Sequence, residues 1–315
     1  TCADTDLLAR ITAASPETTA ARGATSGLAR AAQFSGLGAT RILHQADWVA
    51  GQFSGLWVSD ENNALKTGYD PVSGIWPDWV ADIVDPDLLP VVVAPGTAVA
   101  MVGQNSFGLP EECRVVAGTT DGCASFLATG ASRAGDGVSA LGTTWTIKLV
   151  SDAPVFAPEF GIYSHKVLGL WLAGGASNTG GNVLASAFPD GDLGKLSSQI
   201  DPETDTGLSY YPLSRAGERF PVNDPDFSPV MGPRPQADSE HLKAILEGIA
   251  SVEALAYTRL SELGAPALQS VRTVGGGAGN PVWTRIRERR LNVPMPAPLS
   301  GEAAYGAALL AKAGA

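Results

Sequence analysis

The chain is 315 residues long, 44% hydrophobic and 17% charged, with a formal net charge of -11. This length and apolar content suffice for a sizeable core and two domains; the acidic balance argues against nucleic acid or an anionic membrane surface as the main partner. Cys2, Cys113 and Cys123 support neither a disulfide framework nor a zinc site, which suits a reducing cytoplasm, and the apolar run from Leu88 to Val102 is too broken by Pro90, Pro95 and Gly96 to span a membrane.

Residues 3–59 read as mainly helical, with Ile42, Leu43, Trp48, Val49 and Phe53 as candidate packing positions. Residues 60–110 carry Asp70-Pro71, Trp76-Pro77, Asp85-Pro86 and Pro95-Gly96, which predict short helices and loops. Arg114 to Ala117 reads as a buried strand running into Gly118-Thr119-Thr120-Asp121, with a helix over 122–129. Gly137 to Val150 predicts a hairpin that turns near Gly142-Thr143-Thr144. The glycine-rich run Gly174 to Gly181 suits tight packing of a helix better than a ligand loop.

Farther on, Leu242, Ile245, Leu246, Ile249, Val252, Ala256 and Leu260 recur at helical spacing between a possible cap at Asp238 and a stop at Gly264. Val271 to Val274 then favours a strand, and Gly275, Gly276 and Gly277 permit a sharp turn and a close approach to a ligand. Asn280 suits an N-cap and Pro281 a first helical position. A last helix around 302–313 contains Gly306, which suits close packing on a sheet. The alternation of strand-like and helical segments places the chain in the α/β class.

Three places carry candidate chemistry. Asp121 stands where a strand ends and a helix begins, where it could take a proton from a hydroxyl nucleophile or simply cap the helix. Gly142, Thr143 and Thr144 offer N–H groups and hydroxyls to a phosphate, or form a plain hairpin connection. The turn from Val271 to Trp283 could present a helix N-terminus to an anion, or be an ordinary strand-turn-helix link. His44, His165 and His241 have no metal or triad spacing, and the chain has no G-x-x-x-x-G-K-[ST] loop.

Taken in order, V-V-A-G-T-T-D-G-C-A-S (115–125), G-D-G-V-S-A-L-G-T-T-W-T-I (135–147), W-L-A-G-G-A-S-N-T-G-G (171–181), V-G-G-G-A-G-N-P-V-W (274–283) and E-A-A-Y-G-A-A-L-L-A (302–311) resemble the FGGY carbohydrate kinase family. The resemblance runs through nearly the whole chain and implies the actin-like ATPase fold, with the remainder of an N-terminal sugar-binding domain over 1–130 and a C-terminal ATP-binding domain over 131–315. The segments S-G-L-A-R (26–30), L-H-Q-A-D-W (43–48), S-D-E-N-N-A-L-K-T-G-Y-D (59–70), G-I-Y-S-H-K (161–166) and S-Y-Y-P-L-S-R-A-G-E-R-F-P (209–221) look like the D-ribulose kinase branch of cyanobacteria and plants.

The resemblance implies that Asp121 is the general base for a sugar's terminal hydroxyl attacking the γ-phosphate of ATP. Gly142, Thr143 and Thr144 would face the phosphates, and Gly276, Gly277, Asn280 and Trp283 would hold the adenosine half. It also implies Mg²⁺, for which the sequence offers no dedicated ligand, and a small sugar as partner: D-ribulose, with xylulose as the alternative. The family's opening strand-turn-strand with D-x-G-T has no counterpart here. The expectation is a truncated kinase that keeps its base and most of its ATP side but has an incomplete sugar site, so that ATP binding without efficient transfer is a further alternative.

Overall fold

A computed structural model describes residues 4–23 and 25–314; Cys2 and residue 3 of the first expected helical stretch lie outside the described residues. The chain divides into two compact units, one formed by residues 1–128, 165–171 and 302–315, the other by residues 129–164 and 172–301. Two segments from beyond residue 130 thus group with the first unit, and neither unit is continuous in sequence.

The first unit opens with α1 (Thr5–Ala14), α2 (Gly27–Gly36) and α3 (Gln45–Ser54). Side-chain caps explain where the first two begin: Asp4 accepts from the Leu7 N–H at 2.9 Å and Ser26 from the Ala29 N–H at 3.1 Å. Their apolar faces close over Ile11, Leu28, Ala29 and Val80. The turn-rich stretch folds into short elements as its prolines demand. Strand β1 (Val58–Asp60) leads into α4 (Glu61–Ala64) and pairs in parallel with β2 (Val91–Val93), while β3 (Ala98–Met101) pairs antiparallel with β4 (Arg114–Val116). The expected buried strand at 114–117 is therefore a short ribbon strand, with Arg114 exposed and Val115 and Val116 only half-buried. In a two-stranded ribbon both strands are edges, so neither is flanked on both sides.

Helix α5 (Asp121–Ala128) follows, and the last helix, Ala303–Ala313, packs chiefly against it, with a lesser contact on β4. A Cβ on Gly306 would fall on the backbone carbonyl of Ala124, so the small residue serves a close helix–helix contact.

The second unit is built on a five-stranded sheet of order β7-β8-β6-β5-β9, comprising β5 (Asp136–Leu141), β6 (Trp145–Ser151), β7 (Tyr163–Val167), β8 (Leu170–Ser177) and β9 (Ser270–Val274), of which residues 165–171, the end of β7 and the start of β8, group with the first unit. The expected hairpin is β5-β6, closed by Leu141 opposite Trp145. The glycine run packs both a strand and a helix: Gly174 and Gly175 lie within β8, where a Cβ on Gly175 would meet the Phe220 ring at 2.6 Å, while Gly180 and Gly181 start α6, where a Cβ on Gly181 would come within 2.8 Å of the Gly142 carbonyl oxygen.

Around this sheet lie α6 (Gly181–Ala187), α7 (Leu193–Ser197), the 25-residue α8 (Asp238–Glu262) and α9 (Pro281–Leu291). The stripe on α8 is buried as its spacing predicts, with Ile245, Leu246, Ile249, Ala256 and Leu260 packed with Trp145, Ile147 and Leu149 of β6 in one core cluster. Ala237, not Asp238, occupies the N-cap; Asp238 begins the helix and pairs with Arg234 at 2.6 Å. Among the described residues no helix is long and apolar enough to cross a membrane.

Candidate functional site

Strands β5 and β9 run in parallel with Ala140 opposite Val274, so the turns that follow them emerge at the same end of the sheet. Carboxyl ends of parallel strands are where open α/β sheets leave room for ligands. After β9 the chain turns at Gly275, whose φ of 86° and whose missing Cβ, 2.7 Å from the Leu141 carbonyl oxygen if present, both require glycine. A single-turn 3₁₀ helix, Gly276–Gly279, leads to Asn280, which caps α9 by accepting from the Trp283 N–H at 3.1 Å. The amide of Asn280 also donates to Ser197 of α7 at 2.9 Å, tying the turn to the opposite wall.

After β5, the Gly142 N–H donates to the Thr144 carbonyl at 3.2 Å, and the first N–H groups of α6, from Gly181 and Asn182, donate to the carbonyls of Gly142 and Thr143 at 2.9 and 3.0 Å. The turn's carbonyls are thus consumed by a helix N-terminus. The hydroxyls of Thr143 and Thr144 have no hydrogen-bond partner among the described residues.

These turns and the starts of α6 and α9 enclose a cleft of about 850 Å³ in the second unit, within the size range of small-molecule sites. Gly142, Thr143, Gly276, Gly277, Asn280 and Trp283 line it together; Thr144 is not part of the lining. Trp283 is only 2% exposed, so it forms a wall of the cleft while most of its indole belongs to the core. A Cβ on Gly277 would approach that indole to 2.6 Å, so the glycine lets the turn lie flat on the ring. No carboxylate lines this cleft among the described residues.

Asp121 is not among the residues that line this cleft; it belongs to the first unit, exposed at the first position of α5. Its carboxylate accepts from the adjacent Gly122 N–H at 2.7 Å, and the backbone cap of α5 is Thr120, whose carbonyl accepts from the Ala124 N–H at 2.9 Å. The surrounding loop is held by Asn62, which is buried and donates to the Thr119 hydroxyl and to the Lys166 carbonyl, each at 2.8 Å, while accepting from the Lys166 N–H at 3.0 Å.

His44 and His241 serve the fold. His44 contacts Asp47 at 3.0 Å and Thr67 at 3.1 Å, and His241 is buried between the rings of Phe188 and Tyr210, where desolvation lowers its pKa. Cys113 and Cys123 are free, and the described residues contain no cluster able to hold a metal ion.

A buried network behind the cleft was not foreseen from the sequence. Arg287 of α9 and Glu253 of α8 are both fully buried and joined by two hydrogen bonds of 2.6 and 2.7 Å, and Arg287 donates further to Thr273 of β9 at 2.7 Å. Ser139 of β5, directly opposite Thr273 in the strand register, donates to Glu253 and lies 3.3 Å from the Tyr257 hydroxyl. Burial and the Glu253 carboxylate together push the Tyr257 phenol above its ordinary range. Helical spacing could have flagged the pair, since Arg287 lies four residues after buried Trp283 and Glu253 four after buried Ile249, both on core-facing stripes.

Comparison with known proteins bears on the same segments. Residues 137–315 match the C-terminal domain of the FGGY family of carbohydrate kinases. Gluconokinases from Bacillus subtilis (strain 168) and Bacillus licheniformis are 27% and 26% identical over 235 residues, covering 68% of this chain and 44% of each relative. The chain therefore spans less than half the length of these curated relatives.

Among solved structures, the xylulose kinase from Rhodospirillum rubrum superposes with a TM-score of 0.84 at 24% identity, over 98% of this chain and 68% of that one. The Plasmodium falciparum glycerol kinase with ADP gives 0.73 at 16% identity, over 96% and 61%. At these identities the likeness is one of fold, a mixed α/β fold shared with sugar kinases.

Proposed function

We propose that this chain, which belongs to the FGGY family of carbohydrate kinases, binds ATP with Mg²⁺ in the cleft of the second unit and serves phosphoryl transfer to the terminal hydroxyl of a ketose, D-ribulose in the first instance. One observation carries the reading: two glycine turns and two helix N-termini converge on a single cleft at the carboxyl ends of the parallel strands β5 and β9. The positive dipole ends of the two helices and the Thr143 hydroxyl suit an anion, although the first N–H groups of α6 are already bonded to the turn, and the glycines allow close approach.

In this reading Gly142 and Thr143 face the phosphates, whereas Thr144, expected beside them, is outside the cleft lining. Gly276 and Gly277 let the turn approach the nucleoside, Asn280 fixes that turn between α7 and α9, and Trp283 supplies an apolar wall for the base. The cleft suits a nucleotide in size and in its unpartnered hydroxyls. Bound Mg²⁺ would neutralise charge developing on the phosphates, and with no lining carboxylate it would be held through them. Asp121 acts as general base: it takes the proton of the sugar hydroxyl as that oxygen bonds to the γ-phosphorus, and the bond to the β-phosphate oxygen breaks to release ADP. The segments at 43–48, 59–70 and 209–221 favour D-ribulose over xylulose.

A coupled assay of ADP release with ATP and D-ribulose, D-xylulose, D-gluconate or glycerol tests the substrate. The largest turnover is expected with D-ribulose, and turnover confined to another sugar would overturn that choice. Asp121→Asn should lower sugar-dependent turnover by roughly 10²- to 10⁴-fold while leaving ATP affinity unchanged; unchanged turnover would remove Asp121 from the mechanism. A second reading, ATP binding without transfer, is favoured by a cleft lining that, among the described residues, carries no carboxylate to act as base. Calorimetric binding of ATP without ADP release on any sugar would select it.

A further inference from the structure

We infer that the buried Glu253–Arg287 pair is a positioning device for the nucleotide turn, and that it sets nucleotide affinity by holding the start of α9 in register with β9. The inference rests on the nucleotide reading of the cleft.

The turn that forms one wall of the cleft, Gly275 to Asn280, contains four glycines and has little rigidity of its own. Its shape therefore depends on how its two flanking elements are fixed. Arg287 fixes both: its guanidinium reaches Thr273, two residues before Gly275, and its helix begins one residue after Asn280. Trp283, four residues before Arg287, lies on the same helical face and forms the cleft wall on which Gly277 rests. The guanidinium is in turn anchored through a two-point fork to Glu253 in the middle of α8, and Glu253 also accepts from Ser139 on β5. Strands β5 and β9 and helices α8 and α9 thus meet at one carboxylate-guanidinium pair.

Apolar packing could have filled this volume. A buried ion pair often stabilises no more than well-packed hydrophobic residues of similar size, because both ions must be desolvated. It differs in direction: a planar fork on a carboxylate admits one geometry, whereas apolar side chains slide and repack. A device that fixes orientation rather than adding stability is what a glycine-rich ligand turn requires.

The test separates orientation from stability. Glu253→Leu combined with Arg287→Met removes both charges at nearly constant volume, and Thr273→Val removes one acceptor without changing shape. Each variant and the wild-type chain is melted, then titrated calorimetrically with ADP and Mg²⁺. The expected result is a cooperative melt close to wild type with nucleotide affinity weakened on the order of tenfold in the double variant, and a smaller loss in Thr273→Val.

Hydrogen exchange should quicken at residues 275–280 while the amides of α8 stay protected. If the double variant does not fold, Thr273→Val and the charge-preserving Arg287→Lys decide by the same readouts. Unchanged affinity and unchanged exchange at 275–280 in folded variants would overturn the inference and leave the nucleotide reading standing. Absence of nucleotide binding by the wild-type chain would overturn both.

Discussion

The two compact units place their strands in opposite circumstances. In the second unit β5 has a partner on each side and helices packed nearby, and of its six residues only Ala140 is more than slightly exposed. In the first unit each of the four strands has a single partner, and Val91 and Met101 are 69% and 50% exposed. Similar apolar, β-branched sequences lie in both. The difference teaches that burial belongs to the sheet and not to the strand: Val91-Val92-Val93 is more apolar than Val271-Arg272-Thr273-Val274 and yet less buried, because only β9 lies beside a strand that is itself paired on its other edge. The candidate nucleotide turns are fastened to the better-buried unit, and the candidate base to the other.

That contrast can be broken or sharpened by substitution. The largest effect is expected for Arg287→Ala, which leaves the Glu253 carboxylate buried and uncompensated and should destabilise the second unit by about 3–5 kcal/mol, read by denaturant unfolding with hydrogen exchange to assign the loss. Asn62→Ala should destabilise the first unit by about 1–3 kcal/mol, because the Thr119 hydroxyl and the backbone of Lys166 lose their buried partner. An Asn62→Ala chain as stable as wild type would show that the first unit does not depend on that clamp.

A smaller effect concerns pH. Burial, aided by Arg234 and opposed by Asp238, lowers the pKa of His241 from its ordinary 6.5, so the folded second unit binds fewer protons there than the unfolded chain. The resulting stability is fully present above that ordinary value and is lost as pH falls through the lowered folded value. The urea midpoint should therefore drop between about pH 7.5 and about pH 5.5, and the drop should shrink in His241→Phe. The smallest effect is expected for Val91→Thr on the exposed strand, within about 0.5 kcal/mol by the same unfolding measurement. A larger loss would mean that this strand is covered in solution.

Much of the local structure was legible in the sequence because it is encoded locally. The cap at Asn280, the proline after it, the glycine turn at 275–277 and the hairpin turn at 142–144 each follow from backbone preferences of the residues themselves. The stripe on α8 was legible for the same reason. The errors arose where a neighbour had to be known: strand 114–117 reads as buried only if both of its edges are covered, the glycines after Trp171 read equally well for a helix or a strand, and Gly306 marks a close contact without naming the contacting element.

The sequence by itself determined the α/β alternation, the order of the glycine turns and the cap at Asn280, because turn chemistry and caps act over a few residues. Only the tertiary structure decided that the turns after β5 and β9 share one cleft, since that follows from the parallel register of two strands more than 120 residues apart in the chain. It also decided that Glu253 and Arg287 are one buried pair. Helical spacing puts each on a core-facing stripe without naming its partner, and each charge is stable inside the protein only because the other is there.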